Sequence, residues 1–326
     1  MSATVSIVIC TYNGAKYLRE QLDSIFAQTY PLYEVIVQDD GSTDETWDIL
    51  KEYDNIFPQM RTFHNMGAHG VNANFLSAMQ RATGEYIAIA DQDDIWEKDK
   101  IASQMEAIGN KLLCSGHSRP FSTDGSFAHF DNRPRNVSIF RMLFLCLPGH
   151  TLLFKRELLA MLPPLHHPFY RISLYDAALS ITASAHNSIV FIDKILVNFR
   201  RHAEASTYTD YSKSLPSWRN ALTELVWGLK HYHETREVAI PIYEGKLALL
   251  NYFKDIKTQD FIDAKRMMLL ECKSDIISLI HLQYLFMKHA KQLFHTSNGG
   301  ITKQIRAILY PFMQLYMYHD ALLRKK

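Results

Sequence analysis

Three short apolar runs recur in the first ninety positions, and each breaks abruptly into polar residues. Val5–Cys10 leads into Thr11-Tyr12-Asn13-Gly14, Tyr33–Val37 into Gln38-Asp39-Asp40-Gly41-Ser42, and Tyr86–Ala90 into Asp91-Gln92-Asp93-Asp94. Runs this short and this apolar suit strands buried on both faces. Between them the spacing turns helical. Leu18, Leu22, Ile25 and Phe26 share one face of a segment from Ala15 to Gln28, and further helices are predicted over Glu45–Tyr53, Ala73–Ala82 and Lys98–Ile108. Met60–His64 reads as one more short strand. Alternating strands and helices with short connections predict an α/β fold, a parallel sheet with helices on both faces. Ligands of such sheets bind beyond the carboxyl ends of the strands, so the three polar clusters are expected to meet in one crevice.

The last cluster carries the most chemistry. Asp91, Asp93 and Asp94 place three carboxylates in four residues behind a buried strand. Packing does not ask for this, and the charges repel one another unless a cation or hydrogen bonds offset them. Mg²⁺ or Mn²⁺ takes oxygen ligands, prefers one or two protein carboxylates, and completes its shell with substrate phosphates. The competing reading is a set of caps for the helix near Lys98. Asp39 and Asp40 end the second strand. A carboxylate there can accept hydrogen bonds from a ribose or the N–H edge of a base. Ser42, Thr43 and Asp44 supply capping chemistry for the next helix, which leaves Asp39 and Asp40 free for another task.

Beyond Ile108 the pattern is less regular. Lys111 to about Arg135 reads as an irregular stretch, an active-site lid or a surface insertion. Leu152–Phe154 and Ile189–Phe199 read as extended, and Tyr175–Ala185 as a helix. After Thr209 the pattern is mostly helical: Trp218–His233, Tyr243–Phe253, Asp260–Leu270, Ser274–Phe294 and Ile301–Leu323, the last kinked or divided by Pro311. Two regions are therefore expected, 1–208 and 209–326. Residues 1–200 hold 17 Lys+Arg against 22 Asp+Glu, and residues 201–326 hold 18 against 12. The four cysteines are far apart and form no Cys-x-x-Cys pair, so a reduced, cytoplasmic setting is expected and zinc is not. No signal peptide and no window long and apolar enough to span a membrane can be read.

Val5-Ser-Ile-Val-Ile-Cys-Thr-Tyr-Asn, Gln38-Asp-Asp-Gly-Ser-Thr-Asp-Glu-Thr and Gly84-Glu-Tyr-Ile-Ala-Ile-Ala-Asp-Gln-Asp-Asp-Ile-Trp together resemble a family 2 glycosyltransferase. Those enzymes have the GT-A fold, a Rossmann-like sheet flanked by helices, and transfer sugars from nucleotide donors with inversion. The Asp-Gln-Asp-Asp-Ile-Trp form and Asn65-x-Gly67-x-x-Gly70-x-x-x-Asn74-Phe75 are similar to bacterial rhamnosyltransferase-like enzymes of surface-polysaccharide assembly. The likeness covers about residues 3–207. It implies that Thr11, Tyr12 and Asn13 line the nucleotide pocket, that Asp39 contacts the base, and that Asp40 lies near the ribose. Asn65, Gly67 and Asn74 would lie on the loop beside the nucleotide. Asp91 and Gln92 would meet the donor, and Asp93 would be the main ligand of Mg²⁺ or Mn²⁺, with Asp91 and His202. Gly149, His150 and Thr151 match the donor-sugar side, although His150 departs from the family pattern. Asp176 sits where the family has its base. Arg200, in Arg200-Arg201-His202, would meet the diphosphate. Ala177 and Ala178 depart from the bulky aromatics usual after the base.

An inverting transfer needs one carboxylate to take the acceptor's proton and a charge to offset the departing diphosphate. The resemblance implies a UDP- or dTDP-sugar donor and a glycan or lipid-linked acceptor. A nucleotidyltransferase would want a Gly-rich basic loop after the first strand, where this chain has one Gly and one Lys. A non-catalytic sugar-nucleotide-binding protein is disfavoured by the joint presence of Asp39, Asp91, Asp93, Asp176 and His202. The aromatic and basic C-terminal helices are expected to pack as a bundle. A membrane surface on the inner face of the plasma membrane, or a second copy, is the alternative partner. Nucleic acid is not expected at so acidic a crevice.

Overall fold

The computed structural model describes residues 3–122, 130–133, 135–202, 218–294, 300–319 and 321–322. Among them, eight strands form one sheet: β1 (Val5–Thr11), β2 (Glu34–Asp39), β3 (Met60–His64), β4 (Tyr86–Ala90), β5 (Ile95–Trp96), β6 (Leu113–Phe121), β7 (Leu153–Lys155) and β8 (Ile189–Arg200). Their spatial order is β3-β2-β1-β4-β7-β6-β8-β5. The first four run parallel, in a register that pairs Thr11 with Asp39 and Ile9 with Ala90, so they end at one edge. Every residue of β1 and β2 is buried, as strands covered on both faces must be. The helix Ala15–Phe26 turns Leu18, Leu22 and Ile25 into that core. β7 is antiparallel to β4 and β6, and β5 to β8, so the sheet is mostly rather than wholly parallel.

The position of β5 fixes the curvature. It follows β4 after four residues, yet lies four strands away in the sheet. On a flat sheet that gap is about 19 Å. The connecting residues could span at most about 17 Å fully extended, and they form a turn. The sheet therefore curls, and Asp91–Asp94 bridges its two ends.

The irregular stretch expected from Lys111 is instead strand through Phe121, paired with β8. Gly116, Pro120 and the serines hid it from a pattern reading. Gly116 is needed there: an added Cβ would lie 2.7 Å from Leu196 Cδ1 and 2.9 Å from the Lys194 carbonyl, and the register shifts beside it mark a bulge. Residues 123–129, and the boundary expected at 208, lie outside the described residues.

The chain divides into two compact units, Met1–Pro134 with Cys146–Leu165 and Leu174–Lys213, and Arg135–Leu145 with His166–Ser173 and Ser214–Lys326. The second unit is helical: Trp218–Lys230, Tyr232–Tyr252, Gln259–Glu271, Ile276–Lys288, Ala290–Leu293 and Gly300–Met313, closed by a 3₁₀ turn, Gln314–Tyr318. The helix Tyr232–Tyr252 runs through Pro241 and fills the gap expected between Trp218–His233 and Tyr243–Phe253. Pro311 also sits within its helix, and 3₁₀ geometry begins only at Gln314. Tyr310, Pro311 and Met313 are buried, so packing outweighs the proline's penalty. Inside this unit Arg236 and Glu271 pair at 2.7 Å, and the Gln314 amide donates to the other carboxylate oxygen. No helix among the described residues is long and apolar enough to cross a membrane.

Lys100 is wholly buried in the first unit, with Nζ donating to Gln104 Oε1 at 3.0 Å and lying 3.8 Å from the Trp96 ring centre. Burial pushes its ammonium down to about 7. Between pH 7 and the ordinary lysine value near 10.5 the unfolded chain holds this proton more tightly. The residue's burial cost is therefore full below pH 7 and relieved as pH rises. The difference in urea midpoint between Lys100→Met and wild type should shift steadily toward wild type from pH 7 to pH 10; a gap independent of pH would rule out a desolvated ammonium.

Candidate active site

The turn that bridges the curl is held side chain by side chain. Gln92 clamps the end of β1: its Oε1 accepts the Tyr12 N–H at 2.9 Å, and its Nε2 donates to the Tyr12 carbonyl at 3.1 Å. Gly14 makes room for that amide, since a Cβ there would lie 2.2 Å from Gln92 Oε1. Asp94 is fully buried; its Oδ1 accepts the Arg200 N–H at 3.0 Å, and its Oδ2 lies 3.4 Å from His150 Nδ1. The same His150 nitrogen is 3.1 Å from Asp91 Oδ2, and its Nε2 is 2.8 Å from Ser118 Oγ. Asp93 Oδ2 is 2.9 Å from His202 Nε2.

Electrostatics follow from this crowding. Burial raises the Asp93 and Asp94 carboxyls above the ordinary range, and the Asp91 charge adds to both. His202 opposes the rise at Asp93; His150 and the Arg200 N–H oppose it at Asp94. Burial alone would lower His150, but Asp94 and Asp91 outweigh it and the imidazole is raised.

The neighbouring strand ends are knitted together. Asp39 Oδ1 accepts the Thr11 hydroxyl at 2.8 Å and the Ser42 hydroxyl at 2.5 Å, while Oδ2 takes the Gly41 and Ser42 N–H groups at 3.1 and 2.9 Å. Asp40 accepts the Asn65 amide at 2.6 Å and the Gly70 N–H at 2.8 Å, and lies 2.9 Å from His69 Nδ1. Neither carboxylate is free, contrary to the expectation from capping, because each ties down the loop behind it. Asn13, at φ 48°, accepts the Thr43 N–H at 2.8 Å and gives its own N–H to Ser42 Oγ. Asn65 Oδ1 accepts the Gly67 N–H at 3.0 Å. Asn74 is not on that loop. It lies within the helix Val71–Gln80, buried, its amide closed on Gln38 in both directions at 2.9 and 3.2 Å.

The third segment is the 3₁₀ turn Gly149–Thr151. His150 stacks on Phe199, ring centres 5.1 Å apart. Thr151 turns into the core, wholly buried, its hydroxyl bonded to the Pro148 carbonyl and Ser115 Oγ, so its side chain lines no open surface. Gly149 lies against Tyr175 and Asp176. Asp176 is half-buried in the first turn of the helix Tyr175–Ala185. Burial pushes its carboxyl up to about 6; the Ala177 N–H, 2.8 Å from Oδ1, opposes the rise and the Asp91 charge adds to it. The Arg200 side chain is turned inward. It is 3 % exposed, donates to the Asp93 carbonyl at 2.9 Å and to Glu20 at 2.8 Å, and lies between the Tyr17 and Phe121 rings. It braces the acidic turn.

The expected trio Asp91, Asp93 and His202 divides between two histidines: Asp91 meets His150, and Asp93 meets His202. Among the described residues, Asp91, Asp94 and His150 bring three ligand atoms within 4.8 Å of one another. Ser118, Glu20 and Tyr17 were not foreseen; Ser118 lies in the strand that the pattern reading missed.

A curled, mostly parallel sheet with polar strand ends converging on an acidic turn is the GT-A arrangement of glycosyltransferases. Residues 6–161, a little under half of the chain, match the model of glycosyl transferase family 2. The teichuronic acid biosynthesis glycosyltransferase TuaG of Bacillus subtilis, itself a putative assignment, is 36% identical over 102 residues, 31% of this chain and 40% of TuaG, well under two thirds of that relative's length. S. aureus TarS 1–349 in complex with UDP-GlcNAc superposes with a TM-score of 0.57 at 15% identity, over 98% of this chain and 92% of that one. The mannosyltransferase PcManGT from Pyrobaculum calidifontis, in complex with GDP-Man and Mn²⁺, does so at 0.51 and 17% identity, over 98% and 88%.

The Gln92 clamp makes a prediction. Gly14→Ala should cost about 1–3 kcal/mol in chemical denaturation, by displacing the Gln92 amide. In Gly14→Ala/Gln92→Ala the glycine substitution should cost far less than in wild type; equal costs in both backgrounds would show that Gly14 serves something other than the clamp.

Proposed function

We propose that this chain transfers a sugar, with inversion, from a nucleoside-diphosphate donor to a glycan or lipid-linked acceptor. Asp176 carries the reading: a half-buried carboxylate with its affinity for protons raised, electrostatically coupled to the acidic turn at the sheet's carboxyl edge. A base near pH 6 is mostly ionised at neutral pH yet strong enough to take a proton from a hydroxyl as the bond to the sugar forms. The acceptor oxygen attacks the anomeric carbon from the face opposite the diphosphate, Asp176 takes its proton, and the diphosphate leaves with the bonding pair.

The donor set fits a hard divalent cation. Asp91 and Asp93 are close enough for one charge to raise the other's carboxyl, a repulsion that a cation relieves. Asp93 and Asp91 would hold Mg²⁺ or Mn²⁺, with His202 beside Asp93, and the ion would neutralise charge on the departing diphosphate. Thr11, Tyr12, Asn13 and the Asp39–Asp40 loop would line the nucleotide. Tyr12 is 58% exposed and suits stacking on a base. UDP- or dTDP-sugars are the proposed donors, supported by the uridine nucleotide held by TarS. Cell-surface polysaccharide is the proposed destination, supported by the name of TuaG.

In a thermal-shift screen, UDP or dTDP with Mn²⁺ should raise the melting temperature of wild type, and Asp93→Asn should abolish the Mn²⁺-dependent part. Asp176→Asn should keep that shift but lose roughly 10²–10⁴-fold in transfer rate. Because the base works ionised, wild-type turnover should fall tenfold per unit as pH drops below about 6. Full transfer by Asp176→Asn, or a low-pH limb near 4, would remove Asp176 from the role.

A further inference from the structure

The helical unit carries a second surface that the transfer chemistry does not use. Three of its helices each leave an apolar stripe in solvent. Leu222, Val226 and Leu229 lie on Trp218–Lys230, Ile276, Ile277, Ile280 and Tyr284 on Ile276–Lys288, and Ile301, Ile305 and Ile308 on Gly300–Met313. Apart from the adjacent pair Ile276 and Ile277, the spacing is three or four residues, one face of a helix. Exposure reaches 79% at Ile301 and 67% at Ile276.

The three helices adjoin. Gly228 lies so close to the last helix that an added Cβ would stand 2.1 Å from the Phe312 carbonyl oxygen. On the other side, Gln283 Nε2 donates to the Ile308 carbonyl at 2.9 Å. The stripes therefore sit on neighbouring helices, and ten large apolar side chains far exceed the scattered exposure of an ordinary soluble surface.

Charge decides between occupants. The three helices hold Arg219, Lys230, Lys303 and Arg306 against a single acid, Glu224, while Lys288 is paired with Asp263. A second copy seated face to face would bring like charges together. An anionic bilayer matches both the apolar stripes and the cations. We propose that this face docks on an anionic membrane surface, lying in the interface without crossing it, and independently of whichever sugar the catalytic unit transfers.

Sedimentation of the full chain with vesicles tests this. Wild type should pellet with phosphatidylcholine/phosphatidylglycerol vesicles, should bind pure phosphatidylcholine at least tenfold more weakly, and should be released by raised salt. Ile280→Asp/Ile305→Asp, at two exposed positions, should keep its circular dichroism and melting temperature while losing at least tenfold in vesicle affinity. Absence of binding to either vesicle, or binding unaffected by the double substitution, would overturn the proposal. So would a wild-type dimer by light scattering that the same substitutions dissociate, since the face would then belong to a second copy.

Discussion

Mutual repulsion among Asp91, Asp93 and Asp94 is the constraint around which the first unit is arranged. Like charges this close are unstable unless each finds its own partner. The partners come from elements distant in sequence: His150 from the turn before β7, His202 from the end of β8, and the Arg200 N–H from β8 itself. The same turn must also cross from β4 to β5, which curls the sheet and brings β8 within reach. Topology and electrostatics therefore impose one requirement. If the sheet were flat, Asp94 would lose the Arg200 N–H and be buried without it.

This division of partners makes the acids unequal. Asp94 is fully buried and bonded to backbone, so it anchors the bridge. Asp91 and Asp93 remain partly exposed, at 36% and 20% of their side-chain surface, and can meet a ligand. Arg200 belongs with the anchor. Its guanidinium lies between two aromatic rings and donates to the Asp93 carbonyl, which orients the turn from behind. A residue that a motif assigns to the substrate can thus serve the substrate's other contacts by holding them still.

The elements most legible in the sequence were those whose burial is two-sided. β1, β2 and β4 are near-continuous apolar runs, and the residues that end them are polar for reasons a single strand cannot supply. β6 was missed because its pairing depends on β8, seventy residues away, and because Gly116 and Pro120 reflect a bulge and a strand's end rather than a loop. Partnerships were least legible. Sequence spacing places Asp91 and Asp93 near each other, but only the fold shows that different histidines claim them. Asn74 and Thr151 sit in motif positions, yet their polar atoms are bonded to Gln38 and to Ser115 and Pro148. No local pattern reveals such long-range satisfaction of buried polar groups.

Asp91 also connects the turn to Asp176, the proposed base. Its charge raises Asp93 and Asp94 on one side and Asp176 on the other. Any positive charge that settles against Asp91 would weaken that push and lower the Asp176 carboxyl toward its ordinary range. A more acidic Asp176 is ionised over a wider pH range but is a weaker base. The proton affinity of Asp176 is therefore linked to the charge that settles against Asp91, by an interaction that needs no moving part. His150 stands at the centre of this linkage, since it touches both Asp91 and Asp94 and also lowers Asp176. That position gives a physical role to a residue that departs from the family pattern: a buried imidazole there moderates the push of Asp91 on Asp176.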